Sequence, residues 1–123
     1  MPEKDNYFEN LRLKMDEYAH FVYKIARSFP KTEIYGITSQ IQRATISVVL
    51  NYIEGYDRNK ILVKQNFWEI SYGSLKESKY LLNFCYKEKF ISEEDYKKSL
   101  AMAEEIGAML WRAIESLKRT NNS

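Results

Sequence analysis

Helix-breaking residues are scarce in this 123-residue chain, which has two prolines, both before residue 31, and four glycines. Proline breaks a helix and glycine weakens one, so the stretch beyond Pro30 can carry long uninterrupted helices. An all-β architecture, which needs turn residues between many short strands, is excluded. There is one cysteine, Cys85, and one histidine, His20. No internal disulfide can form, a lone thiol suits a reducing compartment, and no cluster has zinc-ligand spacing. No segment approaches the roughly 18 apolar residues of a membrane span. The start, MPEKDNYFENLRLKMDEY, lacks the basic-then-apolar pattern of a secretory signal. A cytoplasmic protein without membrane association is expected. Neither sign of charge dominates, with 19 Lys and Arg against 17 Asp and Glu, so any basic patch must come from local arrangement.

What the chain does contain is globular: 45% hydrophobic, 29% charged and 15% aromatic residues. A chain of this length buries about two-thirds of its unfolded surface, and residues 1–123 are expected to form one domain. Phe8, Leu11, Met15, Tyr18, Val22, Ile25 and Phe29 recur at steps of three and four, predicting a first helix over about 6–27. After Pro30, Thr38 or Ser39 can cap a second helix over about 38–56, Ser39 forming a capping box with Gln42. A polar turn, Asp57-Arg58-Asn59-Lys60, leads to a third helix over about 61–87, with Phe67, Ser71, Ser74, Ser78, Leu81 and Cys85 on one face. Ser92 followed by Glu93, Glu94 and Asp95 opens a fourth over about 93–119, with Ile91 and Tyr96 as a hydrophobic staple. Its core stripe runs through Tyr96, Leu100, Ala103, Gly107 or Ile106, Leu110, Ile114 and Leu117. Short links between long amphipathic helices predict an all-α, antiparallel, up-down-up-down four-helix bundle.

The second helix is more apolar than such a bundle requires. Ile37, Ile41, Ala44, Val48, Tyr52 and Gly55 form one stripe, Ile46, Val49, Leu50 and Ile53 a second, and only the line Gln40, Arg43, Ser47, Asn51, Glu54 and Arg58 is polar. The fourth helix adds Met102, Ile106, Met109 and Ala113 to its core stripe, with Trp111 on another side. Surplus apolar faces mark a partner surface, so self-association through Ile46, Val49, Leu50, Ile53, Met102, Ile106 and Met109 is expected, in a closed ring if two different faces meet.

No paired carboxylates, phosphate-cradling glycine loop or Ser-His-Asp set is present, and no enzyme activity, cofactor, metal or small-molecule substrate is expected. Cys85 reads as a packed thiol and His20 as a residue at the core boundary. The polar line of the second helix has two readings: a stripe held together by Ser47 with Asn51 and Glu54 with Arg58 one turn apart, or a binding surface in which Arg43 and Arg58 contact an anion. For RNA or DNA the candidates are Arg43, Arg58, Lys60, Lys64, Lys76, Lys79 and Lys87, a mildly basic set that also includes Gln65, Tyr72, Asn83 and Lys89 nearby. The alternative is a protein-binding adaptor without nucleic-acid binding.

One further pattern is the run Tyr35-Gly36-Ile37-Thr38-Ser39-Gln40-Ile41-Gln42-Arg43-Ala44, then Ser47, Asn51, Glu54-Gly55 and Arg58, then Gly73-Ser74-Leu75 with Glu77, then Ile91-Ser92-Glu93-Glu94-Asp95-Tyr96. In order and spacing these resemble the four-helix bundle family of proteins encoded by intervening sequences within bacterial 23S ribosomal RNA genes. The resemblance implies a homopentamer and, because that family is similar to the basic accessory variability protein of diversity-generating retroelements, an RNA or DNA partner. It implies no catalytic residue. Three positions depart from the family's pattern: Gln42 stands where a second arginine is frequent, Val49 where a proline commonly interrupts the helix, and Lys79 where a second acid is common. Val49 implies a straighter second helix.

Overall fold

A computed structural model describes residues 2–122, with side chains from Asn6 to Asn121. Its elements are α1 (Pro2–Ala26), α2 (Ser39–Tyr56), α3 (Ile61–Lys87) and α4 (Glu93–Asn122), with a 3-10 turn at Lys31–Glu33 and a π-helical turn at Ile34–Thr38. The described residues contain no strand. α1 packs on α2, α2 on α3, α3 on α4 and α4 back on α1, which is the cyclic neighbour order of an up-down-up-down bundle.

α1 buries Leu11, Met15, Tyr18, Val22, Ile25 and, just past its end, Phe29, the face its spacing predicts. It begins at Pro2 rather than near residue 6, proline being acceptable in a first turn where its missing N–H has no partner anyway. α2 is entered without a side-chain cap. Thr38 is itself helical (φ −59°, ψ −52°) and makes no capping hydrogen bond, so the capping role expected of Thr38 or Ser39 is not present. The physical reason is that the chain is already turning: the π turn runs directly into α2, and the break lies earlier, at Gly36 (φ −107°, ψ −114°).

α3 shows a heptad that its serines obscure in the sequence. Trp68, Leu75 and Leu82 point at the core together with Ser71, Ser78 and Cys85, all buried, while Phe67 and Ser74 are half-buried at its edge. The small serines allow close approach to α2: the Ser71 hydroxyl donates to the Val48 carbonyl at 2.7 Å. Trp68 Nε1 donates to the Tyr52 carbonyl at 3.1 Å, and its ring stacks on Tyr52, centroids 5.4 Å apart. Gly55 makes this possible, since a Cβ there would lie 2.5 Å from Trp68 Cδ1. Across the bundle, the Tyr18 hydroxyl and Ser78 Oγ are 2.7 Å apart, which sets α1 and α3 at a common height.

α3 ends in a Schellman turn with lysine where glycine is usual. Lys89 has φ 66°, its N–H meets the Tyr86 carbonyl, and the Phe90 N–H returns to the Cys85 carbonyl at 2.9 Å. α4 starts as its sequence signals: the Asp95 N–H donates to Ser92 Oγ at 3.1 Å, with Glu93, Glu94 and Asp95 in the first turn. It continues to Asn122, past the expected end near residue 119.

Candidate interaction surfaces

The polar line of α2 lies along its seam with α3. Ser47 Oγ and Ser74 Oγ are 2.8 Å apart, and Asn51 Nδ2 donates to both the Ser47 carbonyl and Ser47 Oγ at 2.9 Å. Glu54 and Arg58 form an ion pair of 2.8 Å, and the Arg58 guanidinium lies 5.2 Å from the Phe67 ring centroid. Ser47 and Arg58 therefore reach across the seam to α3, and Asn51 and Glu54 hold them from one turn away, the structural reading of the stripe. Gln40 and Arg43 are exposed at its far end, where they line a hollow of about 370 Å³ with Ala44, Ser47 and Glu77. Neither Arg43 nor Glu77 makes an ion pair or side-chain hydrogen bond among the described residues. The stretches that carry the family resemblance in α2 and α3 thus meet along one seam.

The basic candidates do not gather into a patch. Arg58 is held by Glu54. Lys79 pairs with Glu104 of α4 at 3.2 Å. Lys64 donates to the Tyr56 carbonyl at 2.9 Å and lies over the Tyr56 and Trp68 rings, so it closes the α2–α3 turn. Arg43 is on the α2 side of α3, whereas Lys76 lines the α3–α4 groove with Tyr72 and Trp111. Lys60 and Lys87 are exposed at opposite ends of α3, about 40 Å apart at helical rise.

The apolar candidates divide. Ile46, Leu50 and Ile53 are exposed, Leu50 by 57%, and Val49 is half-buried beside them. Ile46, Val49 and Leu50, together with Ala19 and Tyr23 of α1, form a groove of about 440 Å³ whose charged rim is Asp16, His20 and Arg27. A second hollow, of about 520 Å³, continues along the same α1–α2 side past Arg12, Ile53 and Tyr56. The fourth-helix candidates do not join this surface. Ile106 is fully buried and Ala113 nearly so, while Met102 and Met109 pack against the core. α4 needs that wide apolar arc because it packs on both α1 and α3; the Met109 carbonyl accepts a 2.8 Å hydrogen bond from Tyr7.

The second surplus face lies on α3. Leu62, Val63, Ile70, Tyr80 and Phe84 are exposed on its outer side, on the helical line that also carries Asn66, Gly73 and Glu77. Sequence reasoning centred on the serine face passes over them; the signal is the recurrence of apolar residues 180° from the Trp68, Leu75, Leu82 stripe. The outer side of α4 is polar apart from Trp111.

Cys85 is fully buried, and burial pushes its thiol up to about 11, far from a reactive thiolate at neutral pH. His20 is exposed rather than at a core boundary, 3.7 Å from Asp16. Among the described residues no group of His, Cys, Asp and Glu could hold a metal ion, and no helix is long and apolar enough to cross a membrane.

Fold and surfaces together define an all-α four-helix bundle with an occupied polar seam and two apolar outer faces. The family model for the 23S rRNA-intervening sequence protein matches residues 11–112, and the chain belongs to that family. Among solved structures it is similar to a protein of unknown function from the S23 ribosomal protein family of Bacteroides thetaiotaomicron VPI-5482. The TM-score is 0.81 at 20% identity, over 89% of this chain and 98% of that one, a likeness of fold. No curated protein matches the chain.

Proposed function

We propose that this chain is a noncatalytic bundle that assembles with copies of itself into a ring, a pentamer as the family resemblance implies, and that the ring presents basic residues to RNA or DNA. The observation that carries the assembly is the apolar α1–α2 groove: Ile46, Leu50 and Ile53 stay exposed although the core is complete without them, and exposed contiguous apolar surface is a liability unless covered. Lys60, Lys76 and Lys87, together with Arg43, supply the basic surface. One copy binds phosphate weakly, but a ring repeats the same contacts at high effective concentration.

A protein-binding adaptor is the second reading, favoured by the engagement of Arg58, Lys64 and Lys79 within the subunit. Sedimentation at micromolar concentration tests assembly, and a sharp monomer boundary at all concentrations rejects it. Binding to structured RNA and duplex DNA between about 50 and 200 mM salt separates the readings. Phosphate contacts by a ring should weaken about tenfold or more over that range, while absence of binding at the low-salt end leaves the adaptor.

A further inference from the structure

Resting on the nucleic-acid reading above, we propose that the hollow between α3 and α4 is a stacking slot for an unpaired base of a single-stranded nucleic acid, with Lys76 on the adjoining phosphate. The hollow encloses about 410 Å³. Its floor is the buried Leu75, and Gly107 and Ala108 keep it open by their lack of bulk; a Cβ on Gly107 would already touch Leu75 Cδ2 at 3.4 Å. At one end stands Trp111, 50% exposed. Its ring meets that of Tyr72 with centroids 5.9 Å apart and planes inclined by 48°. The two rings are not stacked on each other, so a third flat ring can lie against them. Lys118 Nζ is 5.9 Å from the Trp111 centroid, but it comes from the next turns of α4, whereas the hollow extends the opposite way, toward Glu104. The lysine steadies the indole without filling the slot.

The setting selects the ligand. Trp111 is the single large apolar side chain on an outer side of α4 that is otherwise polar, while a docked protein would centre on several adjoining apolar side chains. A flat aromatic ligand with polar edges fits this slot, and a nucleic-acid base stacks on tyrosine or tryptophan whatever its identity. Within the hollow Lys79 is neutralised by Glu104 at 3.2 Å, and beyond Trp111 the carboxylates of Glu69 and Glu115 are held by Lys118. Lys76 is exposed and makes no ion pair or hydrogen bond among the described residues, so the slot itself carries one uncommitted positive charge. It stands one turn along α3 from Tyr72, about 5–6 Å away, where the phosphate of a stacked nucleotide can reach it. A duplex keeps its bases stacked on one another, so only an unpaired strand can offer one to the slot.

The test compares binding of three labelled probes at about 50 mM salt: a short oligo(dT), an abasic strand of equal length, and a duplex. The wild type should bind oligo(dT) with quenching of its tryptophan emission, and the abasic strand about tenfold more weakly. Trp111→Leu should weaken oligo(dT) binding by about five- to a hundredfold, the range one stacked base supplies, and leave abasic and duplex binding unchanged. Ala108→Gln crowds the slot from an exposed position while keeping Trp111, and should lose oligo(dT) in the same way; it carries the test if Trp111→Leu does not fold, as judged by circular dichroism. Lys76→Gln should keep the quenching and lower the slope of log affinity against log salt by about 0.7. Unchanged oligo(dT) affinity in the folded slot variants, or equal losses for all three probes, overturns the slot and leaves the nucleic-acid reading standing. Thymidine monophosphate binding as tightly as oligo(dT) overturns the strand as occupant in favour of a free nucleotide. If no probe binds the wild type, the nucleic-acid reading fails as well.

Discussion

Gly55 is the residue on which the α2–α3 contact turns. An added methyl would meet Trp68 Cδ1 at 2.5 Å, Nε1 at 2.7 Å and Phe67 Cβ at 3.0 Å, and Trp68 cannot retreat without losing its hydrogen bond to the Tyr52 carbonyl. Gly55→Ala should cost about 1–3 kcal/mol in urea unfolding, although alanine is the better helix former. Tyr18 makes a second prediction. Burial, the larger cause, pushes its hydroxyl up to about 12 against the opposing effect of the Ser78 hydrogen bond. The unfolded tyrosine ionises near pH 10, so the folded state alone keeps the proton above that pH. Stability is complete below about pH 10 and falls as pH rises toward 12. In Tyr18→Phe that alkaline loss should be shallower by one proton in stability-against-pH measurements, with a cost at neutral pH of about 1 kcal/mol. Cys85 was legible as a core thiol from its place among apolar residues; the Tyr18–Ser78 bond was not, because it joins residues 60 positions apart.

The helices illustrate how far periodicity reaches. The α1 stripe from Leu11 to Ile25 is buried as its spacing indicates. For α4 the same reasoning left Ile106 between the core stripe and a partner surface, because sequence reports the width of an apolar arc but not how many neighbours share it. For α3 the serine face diverted attention from Trp68, Leu75 and Leu82, and from the exposed ridge opposite them. Of the candidate surfaces, the α2 half of the groove was legible as surplus; the α3 ridge was not. Helix ends followed local chemistry. Ser92 caps α4 as its hydroxyl predicts, whereas the π turn before α2 leaves no mark in the sequence beyond Gly36. The end of α3 carries a prediction of its own: Lys89 holds φ 66°, a left-handed conformation that costs a residue with a Cβ about 1 kcal/mol. Lys89→Gly should therefore stabilise the protein by about that amount, read as a higher urea midpoint with unchanged slope.

At the scale of the whole molecule, exposed apolar side chains crowd the α1–α2 side and the back of α3, while the outer side of α4 is almost entirely polar. An assembly that covers the α1–α2 groove links stability to concentration: the melting temperature should rise with protein concentration over the micromolar range for the wild type and stay flat for Leu50→Glu. A flat wild-type curve would count against assembly at those concentrations.

The closely packed α2–α3 pair also bears on how the chain folds. Only residues 57–60 separate the two helices, so their contact closes a short loop, whereas α1 meets α4 only after most of the chain has been ordered. The α2–α3 hairpin is the unit expected to persist first during refolding. Substitutions along its seam, such as Ser71→Val, should mainly slow folding, while those between α1 and α4, such as Tyr7→Phe, should mainly hasten unfolding.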